Sequence, residues 1–338
     1  MKIFVTGGAG FIGSALIKEL ISNSDNEIIN IDKLTYAGNL LNLKDIENSK
    51  KYKFKKFDIN DFREISELFS IEKPDAIINL AAESHVDRSI TEPANFIKTN
   101  IVGTFSLLEV VREYIVKNKN KKRFKFLHVS TDEVFGDLSI NEPACNEDKK
   151  YAPSSPYSAS KASSDHLVRA WGRTYNIQTI ITNCTNNYGP FQFPEKLIPV
   201  TINNIISEEK IPIYGDGNQC RDWLYVDDHA RALSKILIHG KVNETYNISG
   251  NNNISNINLV KKICQLMDKK QKKGDLSSSI KLISFVKDRE GHDVRYALDS
   301  SKVRNELNWQ PIETIETGLE KTIDWYLQNQ EWTKEIIK

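Results

Sequence analysis

The sequence predicts a doubly wound α/β fold, a parallel sheet with helices on both faces, joined to a smaller C-terminal α+β domain. Three observations carry this. Short runs rich in Ile, Val and Phe recur at 2–6, 27–32, 52–58, 76–82, 125–131 and 178–184. None shows strict polar alternation, as expected of strands buried on both faces. Helical periodicity fills the gaps at 11–22, 61–70, 94–117 and 157–175, so strand and helix alternate. Beyond about residue 185 that rhythm breaks, and Pro190, Pro194, Pro199 and Pro212 punctuate shorter elements.

The domains expected are therefore 1–185, binding a dinucleotide, and 186–338, closing over the open end of the sheet. A helix around Asp227–Leu237 and a strand Glu244–Ile248 are expected to return to the first domain, near 227–248. A last helix, Glu313–Asn329, follows Pro311.

Composition narrows the function classes. The chain has 338 residues, enough for a large core and two domains, with 39% hydrophobic and 27% charged residues. A net charge of +1 gives no case for nucleic acid or an anionic membrane as partner. The basic run 117–123 lacks interleaved aromatics and reads as a solvated loop. Four cysteines, Cys145, Cys184, Cys220 and Cys264, form no CxxC pair and are expected as free thiols in a reducing, cytoplasmic setting. The first strand starts at Lys2 with no signal segment before it, and no apolar run approaches the ~20 residues of a membrane span.

The first turn carries the cofactor signal. Gly7, Gly10 and Gly13 fit a GxxGxxG spacing between the first strand and first helix. Such glycines permit a tight turn and let backbone N–H groups meet a pyrophosphate at the helix N-terminus, with Phe11 and Ile12 beside it. Asp32 ends the second strand about 20 residues on, where an acid accepts hydrogen bonds from the adenosine ribose and repels a 2′-phosphate. This Rossmann-type arrangement favours NAD over NADP. The alternative for Asp32 is a loop carboxylate or helix cap. Asp58 and Ile59 end the third strand, where they flank the adenine. Leu80, Ala81, Ala82 and Ser84 are expected to end the fourth and to run beneath the cofactor.

A second set of groups is chemical. Tyr157 and Lys161 lie four apart and share a helix face. Lys161 is expected to favour the phenolate and draw the tyrosine pKa down from its ordinary value of about 10. Ser130-Thr131-Asp132-Glu133 ends the fifth strand, at the edge where parallel sheets bind ligands. Taken singly, a Tyr-x-x-x-Lys pair is usually a surface contact worth ~0.2–0.5 kcal/mol, and Asp-Glu a solvated turn. Together they supply a base for an alcohol oxidation plus a second acid and base, which a simple dehydrogenase does not need. His85, His128, His166, His229 and His239 show no metal-ligand spacing and are expected to be structural or exposed, so no metal is expected.

Further segments carry a resemblance: Asp32-Lys33-Leu34-Thr35-Tyr36-Ala37-Gly38-Asn39, Ala82-Glu83-Ser84-His85-Val86-Asp87, Asn186-Asn187-Tyr188-Gly189-Pro190, Pro194-Glu195-Lys196-Leu197-Ile198-Pro199, Tyr214-Gly215-Asp216-Gly217 and Arg221-Asp222-Trp223. With the glycine turn, Thr-Asp-Glu and Tyr-x-x-x-Lys, they resemble the extended short-chain dehydrogenase/reductases, and within them the dTDP-glucose 4,6-dehydratase family, over residues 1 to about 300. One departure is Glu290, in Asp288-Arg289-Glu290-Gly291-His292-Asp293, where that family usually has proline.

The resemblance implies a lyase of nucleotide-sugar metabolism and deoxysugar biosynthesis, such as the dTDP-rhamnose pathway, working as a homodimer with bound NAD on dTDP-glucose. It implies that Thr131 bonds sugar and tyrosine, Tyr157 takes the C4 hydroxyl proton, and Lys161 also holds the nicotinamide ribose. Asp132 protonates the departing C6 hydroxyl and Glu133 removes the C5 proton. Lys33, Leu34, Thr35, Thr99 and Asn187 are implied NAD contacts. Ser84, Thr131, Asn186, Lys196, Leu197, Pro212, Tyr214, Arg221, Asn256, Arg289 and His292 are implied to line the nucleotide-sugar pocket. A guanidinium fork matches phosphate oxygens, which suits Arg221 to a diphosphate. The rivals are a nucleotide-sugar 4-epimerase or decarboxylase, which has no use for an acid–base pair at C5 and C6, a dehydratase of another nucleotide sugar, and a non-catalytic NAD-binding protein.

Overall fold

The computed structural model describes residues 1–23, 25–118, 123–272 and 278–337, so residues 119–122 of the basic run lie outside the described residues. The strands are β1 (Lys2–Thr6), β2 (Glu27–Ile31), β3 (Tyr52–Lys55), β4 (Ala76–Asn79), β5 (Lys125–Thr131), β6 (Gln178–Cys184), β7 (Asn186–Tyr188), β8 (Ile211–Tyr214), β9 (Cys220–Tyr225), β10 (Glu244–Ile248), β11 (Asn253–Ser255) and β12 (Ile283–Val286). The α-helices are α1 (Phe11–Ser22), α2 (Phe62–Glu72), α3 (Val86–Thr91), α4 (Pro93–Phe96), α5 (Thr104–Lys117), α6 (Pro156–Tyr175), α7 (Leu197–Ile206), α8 (Val226–His239), α9 (Asn256–Gln271), α10 (Ser301–Leu307), α11 (Ile315–Gln328) and α12 (Gln330–Ile337).

Seven strands form one parallel sheet in the order β10-β6-β5-β4-β1-β2-β3. This is the doubly wound fold the sequence predicts. The strand order reverses between β1 and β4, the switch point where such sheets open a crevice at their carboxyl ends. Register brings Thr6 level with Ile31 and Asn79, and Thr131 level with Cys184. The glycine turn and the Thr131-Asp132-Glu133 segment therefore leave the sheet on the same edge.

Each face of the sheet is covered because its strands are apolar on both sides. On one face Leu16, Ile17 and Leu20 of α1 pack with Leu233, Ile236 and Leu237 of α8 and Val303 and Leu307 of α10. On the other, Ile65, Leu68 and Phe69 of α2 pack with Leu107, Val110 and Val111 of α5 and Val168 of α6. Each such side chain contributes about 1.5–3 kcal/mol when fully buried. A third core joins α7, α9 and α11 around Tyr188, Trp223 and Tyr225, beside small sheets of β11-β9-β7 and β12-β8. The strand Glu244–Ile248 pairs with β6 at the sheet edge. Residues 301–309 also join the first core, a return that no periodic pattern marks.

Four elements differ from their sequence expectation. The strands expected over 52–58 and 76–82 end at Lys55 and Asn79, so Asp58, Ile59 and Leu80 lie in the loops beyond them. The helix expected over 94–117 is broken: α4 and α5 flank a wider, π-type turn at Ile97–Gly103. Such turns occur at functional sites because the extra residue re-aims side chains. Here Asn100 accepts from the Glu83 N–H at 2.9 Å and donates to the Glu83 carbonyl and the Ser160 hydroxyl, which locks the loop after β4 to α6. The C-terminal helix ends at Gln328, and α12 follows it.

Candidate active site

A cleft of about 540 Å³ opens along the carboxyl edge of the sheet and runs under the third core. This volume suits a nucleotide-sized ligand. The glycine turn forms one end. Gly7 has φ +68°, and a Cβ there would lie 2.8 Å from the Ala81 nitrogen. A Cβ on Gly13 would sit 2.2 Å from the Gly7 carbonyl oxygen. No other residue fits either position, and the bare backbone leaves a cradle at the N-terminus of α1.

Asp32 is held rather than loose. Its carboxylate accepts from the Ala9 N–H at 3.0 Å and the Leu34 N–H at 2.8 Å. Burial pushes its carboxyl up, and those two backbone donors pull it down. It caps the turn and lines the cleft at once, so the loop-cap and ribose readings are compatible. Leu34, implied as a cofactor contact, lies off the cleft wall and serves through its N–H on Asp32. Lys33 reaches Asp58 at 3.6 Å and Glu83 at 3.8 Å, and donates to the Thr99 hydroxyl at 3.4 Å. Every other residue implied for the cofactor lines the cleft. The cradle, the fixed ribose-side carboxylate and the cleft volume together fit NAD.

The catalytic candidates meet at mid-cleft. Thr131 ends β5 and caps a short 3-10 turn, Asp132–Phe135, by accepting from the Glu133 N–H at 3.3 Å. Its hydroxyl donates to Asp132 Oδ1 at 3.2 Å. Helix α6 starts at Pro156 because Ser155 and Ser158 form a capping box. Tyr157 thereby sits in the first turn, and Lys161 lies one turn further. Tyr157, Lys161 and Asp132 are buried, and Asp132 Oδ2 and Glu133 Oε2 are buried with no hydrogen-bond partner.

The two carboxyls have unlike surroundings. Burial raises Asp132 well above the usual range, and the Glu133 charge adds to it, while Arg221 and the Thr131 hydroxyl pull it down. Burial also raises Glu133, but Arg289, Arg221 and Lys196 face it and oppose the rise. One expectation is overturned. Lys161 does not draw the tyrosine down: its ammonium donates to the Val129 carbonyl at 2.8 Å. The Tyr157 phenol stands well above 10, because it is buried and the negative charge of Glu133 faces it.

The third core supplies the opposite wall. Arg221 is 5% exposed and spends three hydrogen bonds on the backbone carbonyls of Cys220, Asp293 and Val294, with its guanidinium 4.3 Å over the Tyr296 ring. No carboxylate pairs with it among the described residues. Asn186, Lys196, Leu197, Pro212, Tyr214, Asn256, Arg289 and His292 share this wall. Glu290 is exposed on the turn at Gly291 (φ +64°) and does not reach the cleft, so its departure from proline leaves Arg289 and His292 in place.

Several residues on or beside the wall had no role in the sequence reading. Asp87 accepts from the Tyr214 hydroxyl at 3.1 Å and lies 3.5 Å from Arg289. Tyr36 donates to Glu195 at 3.1 Å under the Arg88 guanidinium, 3.8 Å above its ring. These residues stand inside or beside the quoted segments, but nothing in the sequence shows that loops so far apart meet. Tyr296 has no local signal at all. His85, expected as structural or exposed, lines the cleft 3.6 Å from Glu195. His128 and His229 are buried, as expected.

Comparison with known proteins agrees with this geometry. The family model described as GDP-mannose 4,6 dehydratase matches residues 4–322. A dTDP-glucose 4,6-dehydratase of Escherichia coli is 55% identical over 349 residues, covering 100% of this chain and 96% of the relative. A solved dTDP-glucose 4,6-dehydratase of Bacillus anthracis in complex with NAD superposes with a TM-score of 0.88 at 42% identity, covering 99% of each chain. The Streptomyces venezuelae enzyme of the same name, also with NAD bound, gives 0.91 at 38% identity, covering 99% of this chain and 100% of that one. With relatives this similar over the full length of both chains, the chain belongs to the dTDP-glucose 4,6-dehydratase family.

Proposed function

We propose that this protein is an NAD-dependent hydro-lyase that converts dTDP-glucose to dTDP-4-keto-6-deoxy-glucose and regenerates its cofactor in each turnover. The observation that carries the reading is the pair Asp132–Glu133: two neighbouring carboxyls, the first buried and pushed well above its ordinary range, the second half-buried with Arg289, Arg221 and Lys196 opposing its rise. Such a split assigns the acid to the higher group and the base to the lower.

A hydroxyl on C6 leaves poorly, and the C5 hydrogen of glucose is not acidic. A ketone at C4 changes both. Tyr157 takes the C4 hydroxyl proton while Thr131 bonds the sugar. NAD, when bound, would supply a hydride store between C4 and C6. Lys161 keeps a cation one turn from Tyr157 on α6 and would hold the ribose. Glu133 then removes the C5 proton, and Asp132 protonates the C6 oxygen, which departs as water. C5 finally regains a proton. Arg221 and Arg289 hold the diphosphate, with Tyr214 against the base.

Residues 1–185 with 227–248 serve as the NAD-binding domain and 186–338 as the sugar-nucleotide domain. Ile97, Val102 and Phe105 are 47%, 47% and 43% exposed, and Tyr175 at the end of α6 is 46% exposed. Two copies of this helix pair across a two-fold axis would cover them, which supports a homodimer. No helix among the described residues is long and apolar enough to cross a membrane. The four cysteines are free, which supports a reducing, cytoplasmic setting.

The test is incubation with dTDP-glucose followed by mass spectrometry of the released sugar. Loss of one water is expected; unchanged mass with inverted C4 would make the protein an epimerase. Competition among dTDP-, UDP- and GDP-glucose decides the base, with dTDP-glucose expected to be consumed first.

A further inference from the structure

Behind the cleft lies a buried polar cluster of which the proposed reaction uses only Lys161. Lys161 and Asp165 stand one turn apart on α6, both buried, at 4% and 0% exposure. Both side chains grip adjacent residues of β5: Lys161 Nζ donates to the Val129 carbonyl at 2.8 Å, and Asp165 Oδ2 accepts from the Ser130 hydroxyl at 2.9 Å. Asp165 Oδ2 also accepts from the Tyr151 hydroxyl at 2.9 Å, which in turn accepts from Arg169 at 2.8 Å. Asp165 Oδ1 is buried with no hydrogen-bond donor.

A buried ammonium whose hydrogen bond goes to a neutral carbonyl needs a counter-charge close by. We propose that Asp165 is the counter-ion of Lys161, a positioning residue that keeps the ammonium charged and aimed beneath the cleft. The groups around the pair agree. Burial pulls Lys161 below its ordinary value, and Asp165 and then Cys184, from β6, push it back. Burial raises Asp165, while Lys161, Ser130, Tyr151 and Arg169 hold it down. His128 of β5 lies 3.4 Å from Asp165, but burial first, then the charges of Lys161 and Arg169, keep it neutral, so it does not compete as a cation.

The inference rests on the role proposed for Lys161, and the test separates the two. Lysine ε-carbon NMR across pH, with the Lys161 signal assigned by its loss in Lys161→Met, reads the charge directly. In Asp165→Asn the Lys161 midpoint should fall by at least about one unit, tenfold in proton affinity. The alkaline limb of kcat should move down with it while KM holds, because Asp165 does not touch the cleft. Asp165→Glu should restore the midpoint toward the wild type. If Asp165→Asn does not fold, Asp165→Ser, which is neutral as well, carries the same expectation. An unchanged midpoint in a neutral variant, even one that melts earlier, overturns the proposal. Full activity in Lys161→Met would instead remove the role of Lys161 and leave the titration result standing.

Discussion

Asp132 and Glu133 are neighbours in the chain but not in environment. Asp132 turns into the protein beneath Thr131, whereas Glu133 faces Arg289, Arg221 and Lys196. Glu133→Gln should therefore still reduce bound NAD on mixing with substrate, read as new absorbance of the reduced cofactor, yet release dehydrated product about 10²–10⁴-fold more slowly. Wild-type turnover would remove Glu133 from the mechanism. Asp132 makes a second prediction. Its folded carboxyl binds its proton more tightly than the unfolded one, so its contribution to stability is complete below about pH 3.9 and is lost as pH rises through the higher folded value. Ionising it at neutral pH costs stability. Asp132→Asn should consequently melt at or above the wild type at pH 7, with the gap closing toward pH 4. A variant that melts lower at both pH values contradicts this.

At the scale of elements, the main sheet was largely legible. Strands such as 2–6, 125–131 and 178–184 are buried past their first residue and rich in Ile, Val, Leu and Phe, so their apolar runs mark them, and they fall where expected. The turn at Ile97–Gly103 was not legible, because its sequence keeps a helical pattern and only packing against Glu83 and Ser160 widens it. The loops over the cleft were also opaque. Tyr36, Arg88 and Glu195 come from the connections after β2, after β4 and before α7, and they meet only in the folded chain. The Arg88 guanidinium lies 3.6 Å from Glu195 as well as over Tyr36. Together they clasp the two halves of the molecule across the cleft. A clasp of exposed groups is worth about 1 kcal/mol. Tyr36→Ala should shed bound NAD several-fold faster, read as NAD per chain after gel filtration, with little change in Tm. Unchanged NAD content would show that the clasp does not hold the cofactor.

For the whole molecule, the site is assembled from both halves: cradle, carboxyls and tyrosine from the sheet edge, cations from the third core. Every site residue named from the sequence except Leu34 lines the cleft, but the charges that divide Asp132 from Glu133 arrive from residues 60 to 160 positions away in the chain, which no local pattern reports. The exposed face of α5 makes a prediction at this scale. Under the proposed homodimer the wild type should sediment as a dimer and Phe105→Glu as a folded monomer in analytical ultracentrifugation; a monomeric wild type contradicts the dimer, and a variant dimer that persists places the interface elsewhere. The central claim is that a transient ketone at C4 lets the two carboxyls carry out an elimination across C5 and C6. Turnover of dTDP-glucose in D₂O, with the product examined by NMR, tests it most directly. One deuterium fixed at C5, with the original C4 hydrogen now on C6, is the expected result; a product without deuterium at C5 would contradict it.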